Sequence, residues 1–308
     1  MSVSSKFYAC AKWVVLILAY GFLAYKLITF DDYATFFDGL RSIQLSQFVW
    51  LLLAVVLWPV NLWLESEKWR LLVAKLTPIS LIAALKSLLI GHTGGFATPN
   101  RLGEYPMRVM CFPSQVRLSA VAMGFVGSFI QNFIITVCGL VALCFFRQNF
   151  EFSVAFFSLC LTVAVISFVV FFFLPDSAAF ILRKKQQARF ADFWRSVSSF
   201  SRFQILEIVA VAFLRYVVFS FQFYLMLRFC GVSLSLFAAC ISIPIVYLCV
   251  TYTPSIAFSE AVVRSSYAIL IIGCYSSNLV GIALAGILIW ILNSALPMII
   301  GSFLLRRV

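Results

Sequence analysis

Charge is scarce in this chain. Only 11% of its 308 residues are Asp, Glu, Lys or Arg, and a single histidine, His92, stands among them. One histidine removes most metal-site schemes and most histidine-based catalysis. The nine cysteines form no Cys-x-x-Cys pair and sit mostly inside apolar runs, where they act as small hydrophobes rather than as a disulfide framework or metal ligands. Acidic clusters are missing as well, since Asp31, Asp32, Asp38 and Asp176 fall in short loops or at the ends of apolar runs. Neither a metal nor a cofactor is expected, and metal-assisted group transfer is disfavoured.

What fills the chain instead is apolar. Hydrophobic residues make up 63% of it and the mean hydropathy is +1.05, which a soluble domain could carry only by exposing large apolar patches. Separate runs of roughly 20 residues point to membrane-spanning helices rather than to a barrel with its weak alternation. The first run, Trp13–Phe30, follows Lys6 and Lys12 without a small-residue cleavage site and reads as a retained span. The second, Phe48–Leu64, ends in the polar string Glu65–Arg70; the third is Leu118–Phe146, with Gln131 and Asn132 near its middle. Phe152–Leu174, Ile205–Phe229 with a central Arg215, and Leu279–Leu305 complete six full spans.

Between the fourth and fifth spans lie Arg183, Lys184, Lys185, Arg189, Arg195 and Arg202. This segment is too short for a catalytic domain. A basic amphipathic helix on an anionic leaflet accounts for it better than nucleic-acid binding, so no nucleic-acid partner is expected. With the N-terminus cytosolic, fourteen of the 23 Lys and Arg residues fall on that side and four on the other. Both termini are therefore expected in the cytosol.

Glycines, prolines and charges crowd together in one place, G-G-F-A-T-P-N-R-L-G-E-Y-P-M-R from Gly94 to Arg108. Broken backbone at membrane depth is tolerated only where protein or a water-filled cavity covers it. Arg101, Glu104 and Arg108 would each cost about 2.5–3.5 kcal/mol at a bilayer centre, so they are expected to face a cavity and to pair or bind something. Glu104 and Arg108 are spaced to share one helical face. His92 adjoins the stretch, as a structural hydrogen-bonding group or as part of the site. The alternative is an ordinary cytosolic loop with a solvated charge cluster.

A second segment, Leu234–Gly273, breaks at T-Y-T-P-S-I-A-F-S-E. Thr98-Pro99 precedes Glu104 and Arg108, while Thr253-Pro254 precedes Glu260 and Arg264. Both read Thr-Pro, a few residues, then Glu-x-x-x-Arg. Pro99 and Pro254 lie 155 residues apart, and Asn132 and Asn293, each in the span after a break, lie 161 apart. Residues 1–150 are read as a first repeat with a re-entrant hairpin over 79–112, and 151–308 as a second with a hairpin over 234–273. Three crossings per half invert the second half, the plan of many transporters whose broken helices meet near the midplane. The expectation is a single all-α polytopic membrane domain of about six spans and two re-entrant broken-helix hairpins.

At Pro99, Arg101, Gly103, Glu104 and Arg108, and again at Pro254 and Glu260, the chain resembles the flippase-like membrane region of lysylphosphatidylglycerol synthetases and their stand-alone relatives. The resemblance spans roughly residues 10–305. The pattern P-x-R-x-G-E-x-x-x-R carries it, with Trp69-Arg70-x-Leu72 upstream; Ala257, Phe258 and Ser259 stand where relatives tend to have glycines. It implies movement of a lipid or a lipid-linked head group between leaflets of a bacterial inner membrane. The aminoacyl-transfer domain of the synthetases is expected to be missing, with nothing after Arg307 to encode it.

Arg101, Arg108, Arg215 and Arg264 suit bidentate phosphate contacts, which makes an anionic phospholipid or a polyprenyl-phosphate-linked lipid the expected partner. Glu104 and Glu260 would orient those arginines, bind a cationic head group or titrate during transport. Arg215 is expected either to touch substrate or to pair with Glu104 or Glu260. A non-enzymatic translocator is the leading reading. An intramembrane lipid transferase and a non-transporting partner of an envelope-lipid enzyme are the alternatives, and the oligomeric state is open, a homodimer included.

Overall fold

A computed structural model describes residues 44–96, 98–146, 158, 161–163, 165–166, 191–255 and 257–306. The expected first span at Trp13–Phe30, most of the expected fourth at Phe152–Leu174, and the basic residues Arg183–Arg189 lie outside the described residues. Every regular element among those described is helical.

The first helix, α1 (Phe48–Val73), follows a short 3-10 turn at Leu45–Gln47. Its 26 residues measure about 39 Å, more than the roughly 30 Å of a bilayer's hydrocarbon core. It does not stop at Leu64, where the apolar run ends, but continues through the polar string Glu65–Arg70. The helix continues because its charges are paired: Lys68 Nζ lies 2.6 Å from Glu65 Oε2, and Arg70 bonds Glu67 on the opposite face. Helix α2 (Leu81–Phe96), with 16 residues, is about 24 Å long and falls short of a crossing. A 3-10 turn at Pro99–Arg101 and the five-residue α3 (Glu104–Arg108) follow, then α4 (Arg117–Phe145).

The later part has α5 (Ala191–Ser198), α6 (Arg202–Phe229), α7 (Leu236–Tyr252), α8 (Ala257–Ile272), α9 (Leu279–Trp290) and α10 (Leu296–Leu305). A π turn at Ile291–Ala295 joins α9 to α10, so Leu279–Leu305 runs as one long rod with a local bulge. Among the described residues, four helical stretches are long and apolar enough to cross a membrane: Leu45–Val73, Arg117–Phe145, Arg202–Phe229 and Leu279–Leu305. The chain is thus a multi-pass membrane protein.

Local sequence sets the helix starts. Ser201 Oγ accepts from the Gln204 amide at 3.2 Å while Gln204 Oε1 accepts from the Ser201 amide at 3.1 Å, a reciprocal cap that opens α6. Ser235 caps α7 and Asn278 caps α9 in the simpler one-way form.

The packing is pairwise. Helix α1 lies along α6, α4 lies along α7, and α10 lies along α2, while α8 packs between α7 and α9. Small residues permit the two crossed contacts. A Cβ on Gly139 of α4 would sit 2.7 Å from Leu248 Cβ of α7, and one on Gly301 of α10 would overlap the Leu89 carbonyl of α2. Trp69, Met123, Ile130, Phe223 and Ile245 fill the buried interior. Leu52, Leu53 and Val56 of α1 and Phe213, Leu214, Val217 and Phe221 of α6 face outward, as helix surfaces in contact with lipid do.

Candidate functional site

The chain is broken in two places, and the breaks touch. After α2 ends at Phe96, the Thr98 hydroxyl donates to the Gly94 carbonyl at 3.1 Å and accepts from the Gly103 amide at 2.8 Å, pinning the turn closed. Gly103 backs directly onto Gly94; a Cβ on either would come within 2.5 Å of the other's carbonyl oxygen. Asn100 and Arg101 are left-handed, with φ of 48° and 58°, a conformation that costs a non-glycine residue of order 1–2 kcal/mol and is easiest for Asn. At the second break, between Tyr252 and Ala257, Ser255 meets this turn: the Asn100 amide donates to the Ser255 carbonyl at 2.9 Å, and the Ser255 amide donates to Asn100 Oδ1 at 3.0 Å.

Beside this junction lies a cavity of about 510 Å³. Helix α1 contributes Asn61, Glu65 and Lys68, spaced i, i+4, i+7 along one face. His92 enters from α2, Asn100 and Arg101 from the turn, and Glu104, Tyr105 and Arg108 from α3. Ser128, Gln131 and Asn132 come from α4 and Arg215 from α6. Thr253, Pro254 and Ser255 line it from the second break, Glu260 and Arg264 from α8, and Asn293 and Ser294 from the π turn. All of Arg101, Glu104, Arg108, Arg215, Glu260, Arg264, His92 and Pro254 therefore line one space. Pro99 opens the 3-10 turn, and Gly103 provides the close approach to Gly94.

The charges form two ion-pair groups. In the first, Arg108 pairs with Glu104 one turn away on α3 and reaches Glu65 Oε1 on α1 at 3.1 Å. Glu65 also meets Lys68 at 2.6 Å and Arg215 Nε at 3.2 Å, so it is the hub. Arg215 thus pairs with Glu65, correcting the expected partners Glu104 and Glu260; it reaches across to α1 because α6 lies along that helix. In the second group, Arg264 NH2 lies 2.6 Å from Glu260 Oε1, and Arg101 Nε lies 3.7 Å from Glu260 Oε2. Arg101 also donates to Ser294 Oγ at 2.9 Å.

Aromatic rings and amides hold these groups in place. Arg108 stacks over Trp69, Arg215 over Phe219 and Arg264 over Tyr247, each guanidinium 5.4–5.6 Å from a ring centroid. The Trp69 indole donates to Ser87 Oγ at 3.1 Å, and the Ser87 hydroxyl donates to the Arg108 carbonyl at 2.7 Å, tying α1, α2 and α3 together. Deeper in, the Asn61 amide donates to Asn293 Oδ1 and Gln222 Oε1, and Arg215 donates to Asn61 Oδ1 and Gln131 Oε1, at 3.0–3.3 Å. Buried charges in such a setting persist only when paired and bonded, and these are.

Some buried polar nitrogens are left over. The Nε atoms of Arg101, Arg108 and Arg264 and Nδ1 of His92 are buried without a hydrogen-bond partner among the described residues. The site can accept an anionic group at the Nε donors of Arg108 and Arg264 without dismantling the ion pairs.

Glu65, Lys68 and Asn61 are cavity residues that the sequence pattern assigned elsewhere or passed over. Their spacing was the available signal, because all three continue one face of the preceding apolar helix. Gln222 carries no comparable signal.

The sequence profile of the family described as the lysylphosphatidylglycerol synthase TM region matches residues 12–301. No curated protein and no solved structure matches the chain.

Proposed function

Because the chain belongs to the lysylphosphatidylglycerol synthase transmembrane-region family, which ties it to membrane lipid, we propose that it moves a phospholipid or lipid-linked head group between leaflets. The observation that carries this reading is the charged cavity at the meeting point of two broken helices. A scaffold has no use for five cations and three carboxylates enclosed among apolar helices. In a translocator, that cavity holds the head group while the acyl or prenyl chains remain in lipid.

The repeated spacing supports an inverted duplication. Helices α1 and α6, the equivalent second spans of the two halves, pair with each other, and each half's broken hairpin packs on the last span of the opposite half. The close approaches recur in register: Gly139 on Leu248 and Gly301 on Leu89 are joined by offsets of 162 and 159 residues. Gly124 on Tyr105 and Gly286 on Ser265 repeat with offsets of 162 and 160. With the halves inverted, α2 and α7 enter from opposite faces as re-entrant hairpins, and the Asn100–Ser255 contact between their tips is the gate across the cavity.

The test is head-group labelling from one side of proteoliposomes of defined lipid composition, comparing wild type with Glu104→Gln. The proposal expects wild type to expose inner-leaflet head groups to the label and the variant to leave them protected. Equal movement in both proteins would make the Gly94–Arg108 stretch structural and remove the proposal's basis.

A further inference from the structure

Among the described residues, the cavity's formal charges do not cancel. Lys68, Arg101, Arg108, Arg215 and Arg264 face Glu65, Glu104 and Glu260; with His92 neutral, two cations are in excess. The excess is divided between the two ion-pair groups. Around Glu65 and Glu104 stand Lys68, Arg108 and Arg215, one cation more than the carboxylates; around Glu260 stand Arg101 and Arg264, again one more.

Each group also keeps an idle donor. Arg108 Nε in the first and Arg264 Nε in the second are buried with no hydrogen-bond partner among the described residues. Arg108 and Arg264 are themselves only 7% and 8% exposed. An uncompensated cation within a membrane draws a counter-anion, and guanidinium donors suit phosphate oxygens. A zwitterionic head group brings no net charge to meet the excess, and a single phosphodiester answers only one group.

We propose that the cavity takes a head group carrying two phosphates, one set against each ion-pair group, either joined as a diphosphate or borne as two phosphodiesters on one lipid. This rests on reading the cavity as the lipid site and adds the charge of the ligand. A volume of about 510 Å³ lies within the 300–1,000 Å³ usual for ligand pockets and encloses the phosphates while leaving the chains outside.

Equilibrium binding tests this separately from transport. Native mass spectrometry of the full chain in detergent, titrated with phosphatidylcholine, phosphatidylglycerol, a lipid bearing two phosphodiesters and a prenyl diphosphate, ranks the four. At least one two-phosphate lipid should bind about tenfold tighter than phosphatidylglycerol, the scale of one added charge-assisted contact, and whichever leads identifies the source of the phosphates. Arg264→Gln should reduce the favoured lipid to the affinity of phosphatidylglycerol, and Arg264→Lys should retain most of the preference. Arg101→Gln, in the same group but with a side chain 31% exposed, provides the same test if the Arg264 variant fails to fold. Equal affinity for lipids with one and two phosphates overturns the proposal, even if translocation is observed. A two-phosphate preference without translocation upholds it and sinks the transport reading instead.

Discussion

The amide of Asn100 donates to the carbonyl of Ser255 at 2.9 Å, and the amide of Ser255 donates back to Asn100 Oδ1 at 3.0 Å. Two breaks separated by 155 residues of chain are held together by this reciprocal pair and by Arg101, which extends from one break to Glu260 just past the other. The left-handed backbone at Asn100 allows the pair to form, because it turns the amide and the side chain toward the same neighbour.

Asn100→Gly isolates the side-chain half of this contact. Glycine accepts φ of 48° without strain, so the backbone bond survives and only the Ser255 amide loses its acceptor. A net loss of about 1 kcal/mol should raise the rate at which a cysteine placed at Asn61 is modified by a water-soluble thiol reagent, by roughly fivefold. An unchanged rate would mean that the contact does not control access to the cavity.

Glu65→Gln should be costly to stability. Glu65 is the shared counter-ion of Lys68, Arg108 and Arg215, and removing one partner of a buried pair costs about 3–5 kcal/mol. Thermal unfolding in detergent should show a clear drop in Tm. Adding Lys68→Met removes a stranded cation and should recover part of it, a coupling that a double-mutant cycle measures. Independent, additive losses would show that Glu65 is not the hub.

Gly301→Ala should destabilise more than Gly139→Ala. At Gly301 the new methyl overlaps the backbone carbonyl of Leu89, so two helices must separate; at Gly139 it comes 2.7 Å from Leu248 Cβ, a milder overlap. Overpacking of this kind costs about 1–3 kcal/mol, with the larger loss at Gly301. Comparison of the two melting curves decides it, and the reverse order would mean that α10 and α2 are not in close contact.

Much of this arrangement was legible in the sequence because charge is so rare in it. Arg101, Glu104 and Arg108 stood out within an apolar stretch, and the recurrence of Thr-Pro before Glu260 and Arg264 marked the second break. Glu65 and Lys68 did not stand out, for the opposite reason. At the end of an apolar run, a solvated helix terminus and a paired helix interior have the same composition, and only the tertiary partners Arg108 and Arg215 distinguish them. The choice of Glu65 by Arg215 was likewise invisible, since it depends on α6 lying along α1. The bond between Asn100 and Ser255 needed the three-dimensional meeting of the breaks, although their common spacing from the two prolines hinted at it.

The most direct measurement links the contact between Asn100 and Ser255 to lipid movement. Asn100→Cys with Ser255→Cys, introduced after replacing the native cysteines, places two thiols on adjoining backbones; one-sided head-group labelling is then followed in proteoliposomes before and after reduction. The account predicts that lipid movement is blocked while the disulfide holds and returns when it is reduced. Movement that continues unchanged through the disulfide, or reduced protein that moves none of the tested lipids, would contradict it.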